Sequence, residues 1–193
     1  MLLDLLKERT SVRNFSSKKV PNEIINHIIE AGRLSPSGGN EQAWKFGVIT
    51  DKKLINDIAL ASYNQNWITS SSLLVVLCTC IVDVEKGGRD IQKARFPELA
   101  ECIMGMDEKL YNALNLEEHQ TKIPGTHMVL SALEHGVAST WVSYFMVKKV
   151  AELLKLPEAC IPSEIIAFGY PKEKRMPVKK KSVDEIVFYN TLT

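Results

Sequence analysis

The stretch Leu73–Val82, LLVVLCTCIV, constrains the fold more than any other part of the chain. Only two cysteines and one threonine interrupt an otherwise apolar run, and ten residues are too few to span a bilayer. Such a run reads as a buried strand. Upstream, Lys45–Thr50 carries Phe46, Val48 and Ile49 and reads as a second strand. Between the two, Asp51 is a plausible N-cap for a helix bearing Leu54, Ile55 and Ile58. The order strand, helix, strand needs a core to enclose it. A chain of 193 residues with 45% apolar content can supply one, so a single domain spanning 1–193 is the expectation.

Around this centre, Leu2, Leu3, Leu5 and Leu6 form a short amphipathic run, and Ile24, Ile25, Ile28, Ile29 and Leu34 repeat at helical spacing after Pro21. Gly125–Glu134 is a helix candidate with Gly136 as its left-handed terminator. Val137–Phe145 reads as a turn leading into a short helix. Val147, Val150, Ala151, Leu153 and Leu154 make another amphipathic helix, closed by Pro157. Ile165–Phe168 is a compact strand ending at Gly169, followed by a basic run through Lys179, Lys180 and Lys181. The tail Val183–Tyr189 alternates as an extended arm would. Between Asp83 and Pro124 the pattern loosens around Gly87, Gly88 and Pro97, which predicts short helices or a mobile cover.

Charge is nearly balanced, 24 Lys and Arg against 23 Asp and Glu, so no global field points to nucleic acid or an anionic membrane. The amino end has no signal-peptide pattern, from which a cytoplasmic location is expected. Cys78 and Cys80 would share one side of a strand, while Cys102 and Cys160 stand isolated. With no zinc spacing and no C-x-x-C, the four read as reduced structural thiols. His27, His119, His127 and His135 sit in no catalytic or metal-ligating motif, and no metal is expected. G-x-S-x-G, H-E-x-x-H, the P-loop and G-x-G-x-x-G are all missing. This composition suits cofactor chemistry in which the protein positions a group and supplies no covalent nucleophile.

Two stretches offer donors for such a group. In Leu5–Phe15, LLKERTSVRNF, Arg9 and Arg13 lie four residues apart with the hydroxyls of Thr10 and Ser11 between them. Paired guanidinium forks match a phosphate monoester, and the apolar run stops where the hydroxyls begin, which puts the cluster at a helix end. The alternative is a solvated helix edge. In Ser35–Phe46, SPSGGNEQAWKF, two glycines allow close backbone approach to a flat ligand, and Asn40 and Gln42 bring amide groups. Taken together, the two stretches resemble the nitroreductase family of flavin enzymes. The family's R-x-S-x-R-x-F segment corresponds to Arg9, Ser11, Arg13 and Phe15, and its P-S-x-x-x-x-x-x-W-x-F segment to Pro36, Ser37, Trp44 and Phe46.

The resemblance implies an α+β fold, a central mostly antiparallel sheet flanked by helices, in an intertwined homodimer holding FMN at the interface. It implies that Arg9 and Arg13 grip the FMN phosphate with help from Thr10, Ser11 and a basic ligand near Lys180 and Lys181. Pro36, Ser37, Gly38, Asn40 and Gln42 would approach the flavin from the second subunit. The backbone of Thr140, Trp141, Val142 and Ser143 would pass the ring, where amides stabilise the reduced anion. Residues 83–124 would be the variable substrate cover and 183–193 the C-terminal arm. The implied activity is ping-pong reduction of nitro-aromatics, quinones or similar acceptors by NAD(P)H, with no side chain as catalyst. The alternatives are a flavin-dependent reductive dehalogenase of the same fold and a non-catalytic binder of flavin or a phosphometabolite. Two departures are visible: Ser70, Ser71 and Ser72 stand where the family often has Asp-Ala-Pro, and Gly136, Val137 and Ala138 where it often has Gly-Leu-Gly.

Overall fold

The apolar run around Val75 becomes an inner strand of a four-stranded antiparallel sheet. The computed structural model describes residues 2–80, 93–94, 96–107, 110, 117–173 and 176–191. The strands are β1 (Trp44–Ile49), β2 (Leu73–Cys80), β3 (Ala138–Val142) and β4 (Cys160–Gly169), in spatial order β1-β2-β4-β3. The helices are α1 (Leu2–Glu8), α2 (Asn22–Arg33), α3 (Lys52–Ala61), α4 (Ala100–Gly105), α5 (Glu117–Glu134) and α6 (Val147–Leu153).

Strand alternation divides β2 between two cores. Leu74, Val76 and Cys78 pack with Ile55 and Ile58 of α3 and Val150 of α6. Leu73, Val75 and Leu77 pack with Ile28 of α2 and Met128, Val129 and Ala132 of α5. Helices thus cover both faces, and the whole stretch from Leu73 to Thr79 is buried. Each such side chain contributes about 1.5–3 kcal/mol relative to exposure. Asp51 caps α3 by accepting the Leu54 N–H at 2.8 Å, and Gly136 ends α5 with φ +69°.

Several sequence expectations are corrected. Val137–Phe145 holds strand β3 rather than a turn entering a helix, because Ala138–Val142 pairs residue for residue with Ile165–Gly169. Helix α5 starts at Glu117, not Gly125, and continues through Pro124. That proline removes a single backbone donor, a helix penalty of roughly 3 kcal/mol, and it is buried, on a helix whose Met128 and Val129 pack into the core. Strand β4 begins at Cys160, well before Ile165; Pro162 is tolerated because it lies opposite Cys78, where the ladder register shifts. The tail does not stay extended: Ser182 donates its N–H and its hydroxyl to Glu185 Oε2, at 2.8 and 2.9 Å, and closes a turn at Val183–Ile186. A Ser-x-x-Glu pairing of this kind, local in sequence, wins over alternation where no sheet partner is present. The end of the run Leu73–Val82 and much of 83–124 lie outside the described residues. Among the described residues, no helix is long and apolar enough to cross a membrane.

Candidate functional site

Strand β3 lies at the sheet edge, and the chain following α1 docks onto it. The Arg9 N–H closes α1 on the Leu5 carbonyl at 2.9 Å. Ser11 then bridges Ser139 in parallel, the Val12 N–H donates to the Ser139 carbonyl at 3.2 Å, and the buried Thr140 hydroxyl donates to the Val12 carbonyl at 2.6 Å. A few residues on, Phe15 pairs with Pro171, the Ser16 N–H meets the Tyr170 carbonyl at 2.8 Å, and the Lys172 N–H meets the Asn14 carbonyl at 3.1 Å. The amino-terminal segment is therefore fixed between β3 and the start of the carboxy-terminal chain. A cavity of about 360 Å³ opens at this junction, lined by Thr10, Val12, Gly136, Ala138, Pro171 and Pro177 among others.

Within that frame Arg9, Thr10 and Ser11 are half-buried and Arg13 is exposed, its guanidinium carbon 5.6 Å from the Trp67 ring centroid. Among the described residues neither guanidinium pairs with a carboxylate. An unpaired, half-buried cation such as Arg9 invites an anion. Lys180 and Lys181 are exposed on the chain that leaves from beside this segment.

The Gly-Gly loop is built separately. Gly39, Asn40 and Gln42 all have φ between 51° and 57°, a strained local path held by specific bonds. Ser37 Oγ accepts the Gln42 N–H at 2.9 Å, and Gln120 Oε1 on α5 accepts the Gly38 N–H at 2.9 Å. Ser35 Oγ, just before Pro36, lies 2.7 Å from His127 Nδ1 on the same helix. No hydrogen bond within one chain joins this loop to the Arg9–Arg13 segment among the described residues.

Behind the Thr140–Ser143 stretch sits a polar cluster that sequence reasoning missed. Glu164 is 3% exposed. It accepts the Ser143 hydroxyl at 2.6 Å and pairs with Lys122 at 3.3 Å. A lone carboxylate beside the apolar run IIAF was the available signal. Next to it, the Thr121 and Ser163 hydroxyls lie 2.9 Å apart and Ser163 donates to the Leu77 carbonyl at 3.0 Å. Trp141 turns its half-buried ring toward α5, where a Cβ on Gly125 would come within 2.4 Å of it.

The pattern of the nitroreductase family matches residues 6–170, from the end of α1 through β4. The chain belongs to the nitroreductase family. A nitroreductase family protein from Clostridium difficile 630, solved by crystallography, superposes with a TM-score of 0.74 at 27% identity, over 98% of each chain. The NADPH:FMN oxidoreductase of Vibrio harveyi, solved in complex with NAD+, shares the fold with a TM-score of 0.77 at 19% identity, over all of this chain and 78% of its own. The NADH dehydrogenase of Thermus thermophilus is 23% identical over 94% of this chain and 92% of its own.

Both departures from the usual nitroreductase pattern have structural counterparts here. Ser70 Oγ accepts the Phe15 N–H at 3.2 Å and Ser72 Oγ accepts the Val20 N–H at 3.3 Å, so the serine run fastens the segment that carries the arginines. Val137 is fully buried and Ala138 lines the junction cavity. Sequence reasoning left Cys160 isolated, whereas the sheet brings its sulfur to 3.7 Å from that of Cys80.

Proposed function

We propose that this nitroreductase is an FMN-dependent oxidoreductase that draws electrons from NADH or NADPH and delivers them to a nitro-aromatic, quinone or similar acceptor. It works as an intertwined homodimer with one FMN in each of two seams. The observation that carries this reading is the pair of guanidiniums without carboxylate partners, Arg9 and Arg13, on a segment clamped against β3. Their donor set fits a phosphate monoester: two cationic forks and two adjacent hydroxyls at Thr10 and Ser11, with an exposed lysine run further along the carboxy-terminal stretch of the same chain.

Bound FMN supplies reversible hydride chemistry at its N5. The protein's part is to bind, orient and polarise. Arg9 and Arg13 neutralise the phosphate, Thr10 and Ser11 donate to it and to the ribityl chain, and Lys180 and Lys181 add a second cationic wall. The backbone of Thr140, Trp141, Val142 and Ser143 supports the ring, and Glu164 keeps Ser143 in place through its hydroxyl. Rigid, pre-oriented dipoles next to a group that gains negative charge are the most effective way a protein stabilises it. Pro36, Ser37, Gly38, Asn40 and Gln42 reach the flavin held by the partner subunit, and α5 keeps that loop in shape. Residues 83–124 cover the acceptor, and 183–193 form an arm that embraces the second copy.

The exposed apolar surface supports the dimer. Leu2 and Leu3 are each 59% exposed, and Phe188 and Tyr189 are 57% and 83% exposed. Surfaces of that kind on a single chain mark an interaction face.

The test is spectroscopic. Purified protein, reconstituted with FMN if necessary, shows the oxidised flavin spectrum, bleaches anaerobically with NADH or NADPH, and recovers its colour when nitrofurazone is added. Colourless protein that does not respond to FMN overturns the cofactor assignment. Bound flavin that neither nicotinamide bleaches points to a binding protein.

A further inference from the structure

Beyond the flavin reading, and independent of it, we propose that Cys80 and Cys160 form a modification site at which hydrogen peroxide converts two thiols into a disulfide joining β2 to β4. Cys80 and Cys160 are direct cross-strand partners in the β2–β4 ladder, and their sulfurs already lie 3.7 Å apart although 80 residues separate them in sequence.

The backbone decides whether the bond can close. The Cys80 N–H donates to the Ala43 carbonyl, on the β1 side of the strand, at 2.9 Å. The Cys160 N–H donates to the Pro157 carbonyl in its own turn, also at 2.9 Å. Neither amide crosses the pair, so the two cysteines occupy a non-hydrogen-bonded site of an antiparallel ladder. At such sites Cα atoms lie about 4.5 Å apart, inside the roughly 4.4–6.8 Å window a disulfide accepts. Cys78, two residues back on β2, also feels the Cys160 thiol, but its direct partner across the ladder is Pro162, so only Cys80 and Cys160 are opposed as a pair. Cys102 is exposed on α4.

Exposure divides the roles. Cys80 is half-buried and open to a small oxidant, whereas Cys160 is 3% exposed. The Cys80 thiol gives up its proton, the thiolate attacks one peroxide oxygen and the O–O bond breaks; the leaving hydroxide takes up that proton, giving a sulfenic acid at Cys80 and one water. The Cys160 sulfur then attacks the Cys80 sulfur; its proton leaves with the displaced hydroxide as a second water. Two thiols and one peroxide yield one disulfide and two waters, the two electrons passing from sulfur to oxygen.

The charged and titratable groups around Cys80 set the pace. Burial, then the Cys160 sulfur, push the Cys80 thiol up to about 11, against which the Lys45 ammonium on β1 pulls down. Cys78 is raised in the same way by burial and by Cys160. Below that value the thiolate fraction rises about tenfold per pH unit, and the initial attack accelerates with it. The site is slow at neutral pH and quickens in alkali.

In the test, purified protein is reduced with dithiothreitol, freed of the reductant, treated with hydrogen peroxide at pH 8, denatured, alkylated with N-ethylmaleimide and mapped by mass spectrometry. Two of the four thiols should be lost to one cross-linked peptide pair containing Cys80 and Cys160, restored by dithiothreitol. Cys80→Ser and Cys160→Ser should each abolish the cross-link, while Cys78→Ser and Cys102→Ser retain it. The rate should rise about tenfold from pH 8 to pH 9. Four alkylated thiols after treatment, a bridge through Cys78 or Cys102, or sulfinic acid at Cys80 without a bridge would overturn the proposal. Because the wild-type peptide map decides on its own, a serine variant that fails to fold leaves the result standing.

Discussion

Strand β2 and the chain 176–191 are both rich in apolar side chains, yet they meet opposite fates. Leu73 through Leu77 are fully buried, whereas Met176, Val178, Phe188 and Tyr189 are 82%, 67%, 57% and 83% exposed. The difference is one of partners. β2 finds everything it needs within its own chain, with β1 and β4 on its edges and two pairs of helices on its faces. Among the described residues, 176–191 make only short-range backbone hydrogen bonds, such as those of the Ile186 and Val187 N–H groups on the Val183 carbonyl. A single copy therefore completes the sheet and leaves its periphery unfinished, and the proposed dimer is the natural completion of that periphery.

The sharpest way to break this contrast is to truncate one aromatic from each region. Phe168→Ala empties a fully buried position on β4 and should lower unfolding free energy by about 3–5 kcal/mol in a denaturant titration. Phe188→Ala should leave unfolding nearly unchanged at protein concentrations where single chains predominate and should weaken self-association in sedimentation. Equal losses of stability from the two variants would mean that the tail belongs to the same core.

Removing charge tests the same boundary from the side of the ligand. Arg9→Ala combined with Arg13→Ala removes the two charge-assisted contacts proposed for the phosphate, each contributing about 1.5–3 kcal/mol. Flavin affinity should fall roughly a hundredfold or more in a fluorescence titration, with thermal unfolding of the apoprotein little changed. Lys180→Ala in the exposed tail should cost much less. A larger effect from Lys180 than from the arginine pair would reverse the proposed division of labour.

Gly125→Ala probes the inner region at finer scale. Its new methyl would fall 2.4 Å from Trp141 Cη2 and 2.7 Å from Leu77 Cδ1, and neither a buried strand residue nor an indole on β3 can retreat freely. Destabilisation of about 1–3 kcal/mol is expected, accompanied by a shift in Trp141 fluorescence. An unperturbed spectrum would show that helix and sheet have slack at this contact.

How much of this was legible in the sequence follows the same line between inner and outer regions. The buried strand, the Asp51 cap and the Gly136 terminator were readable because each is decided by a few adjacent residues. Strand β3 was not, because ASTWV becomes a strand only when β4 and the Val12 segment flank it. The first turns of helix α5, ahead of Gly125, are not legible because the helix runs through the buried Pro124, and tertiary packing rather than local propensity sustains it. At the proposed site, Arg9 and Arg13 stand out by residue type and spacing. Glu164, Lys122, Gln120 and His127 did not, since their roles arise from partners 21 to 92 residues away.

The smallest expected effects compare one kind of hydrogen bond in both settings. Asp51 accepts the Leu54 N–H and starts α3, whose Ile55 and Ile58 belong to the core. Ser182 also makes a local bond to a carboxylate, donating its hydroxyl to Glu185 in a tail with no core beneath it. Asp51→Ala should cost about 1 kcal/mol of global stability, because fraying α3 exposes packed side chains. Ser182→Ala should change the melting temperature of the single chain by nothing measurable, since the turn it closes can open without unfolding anything else. If Ser182→Ala instead lowers stability only at high protein concentration, the turn is part of the surface that the second copy reads, and the contrast between the two regions becomes a property of the assembly.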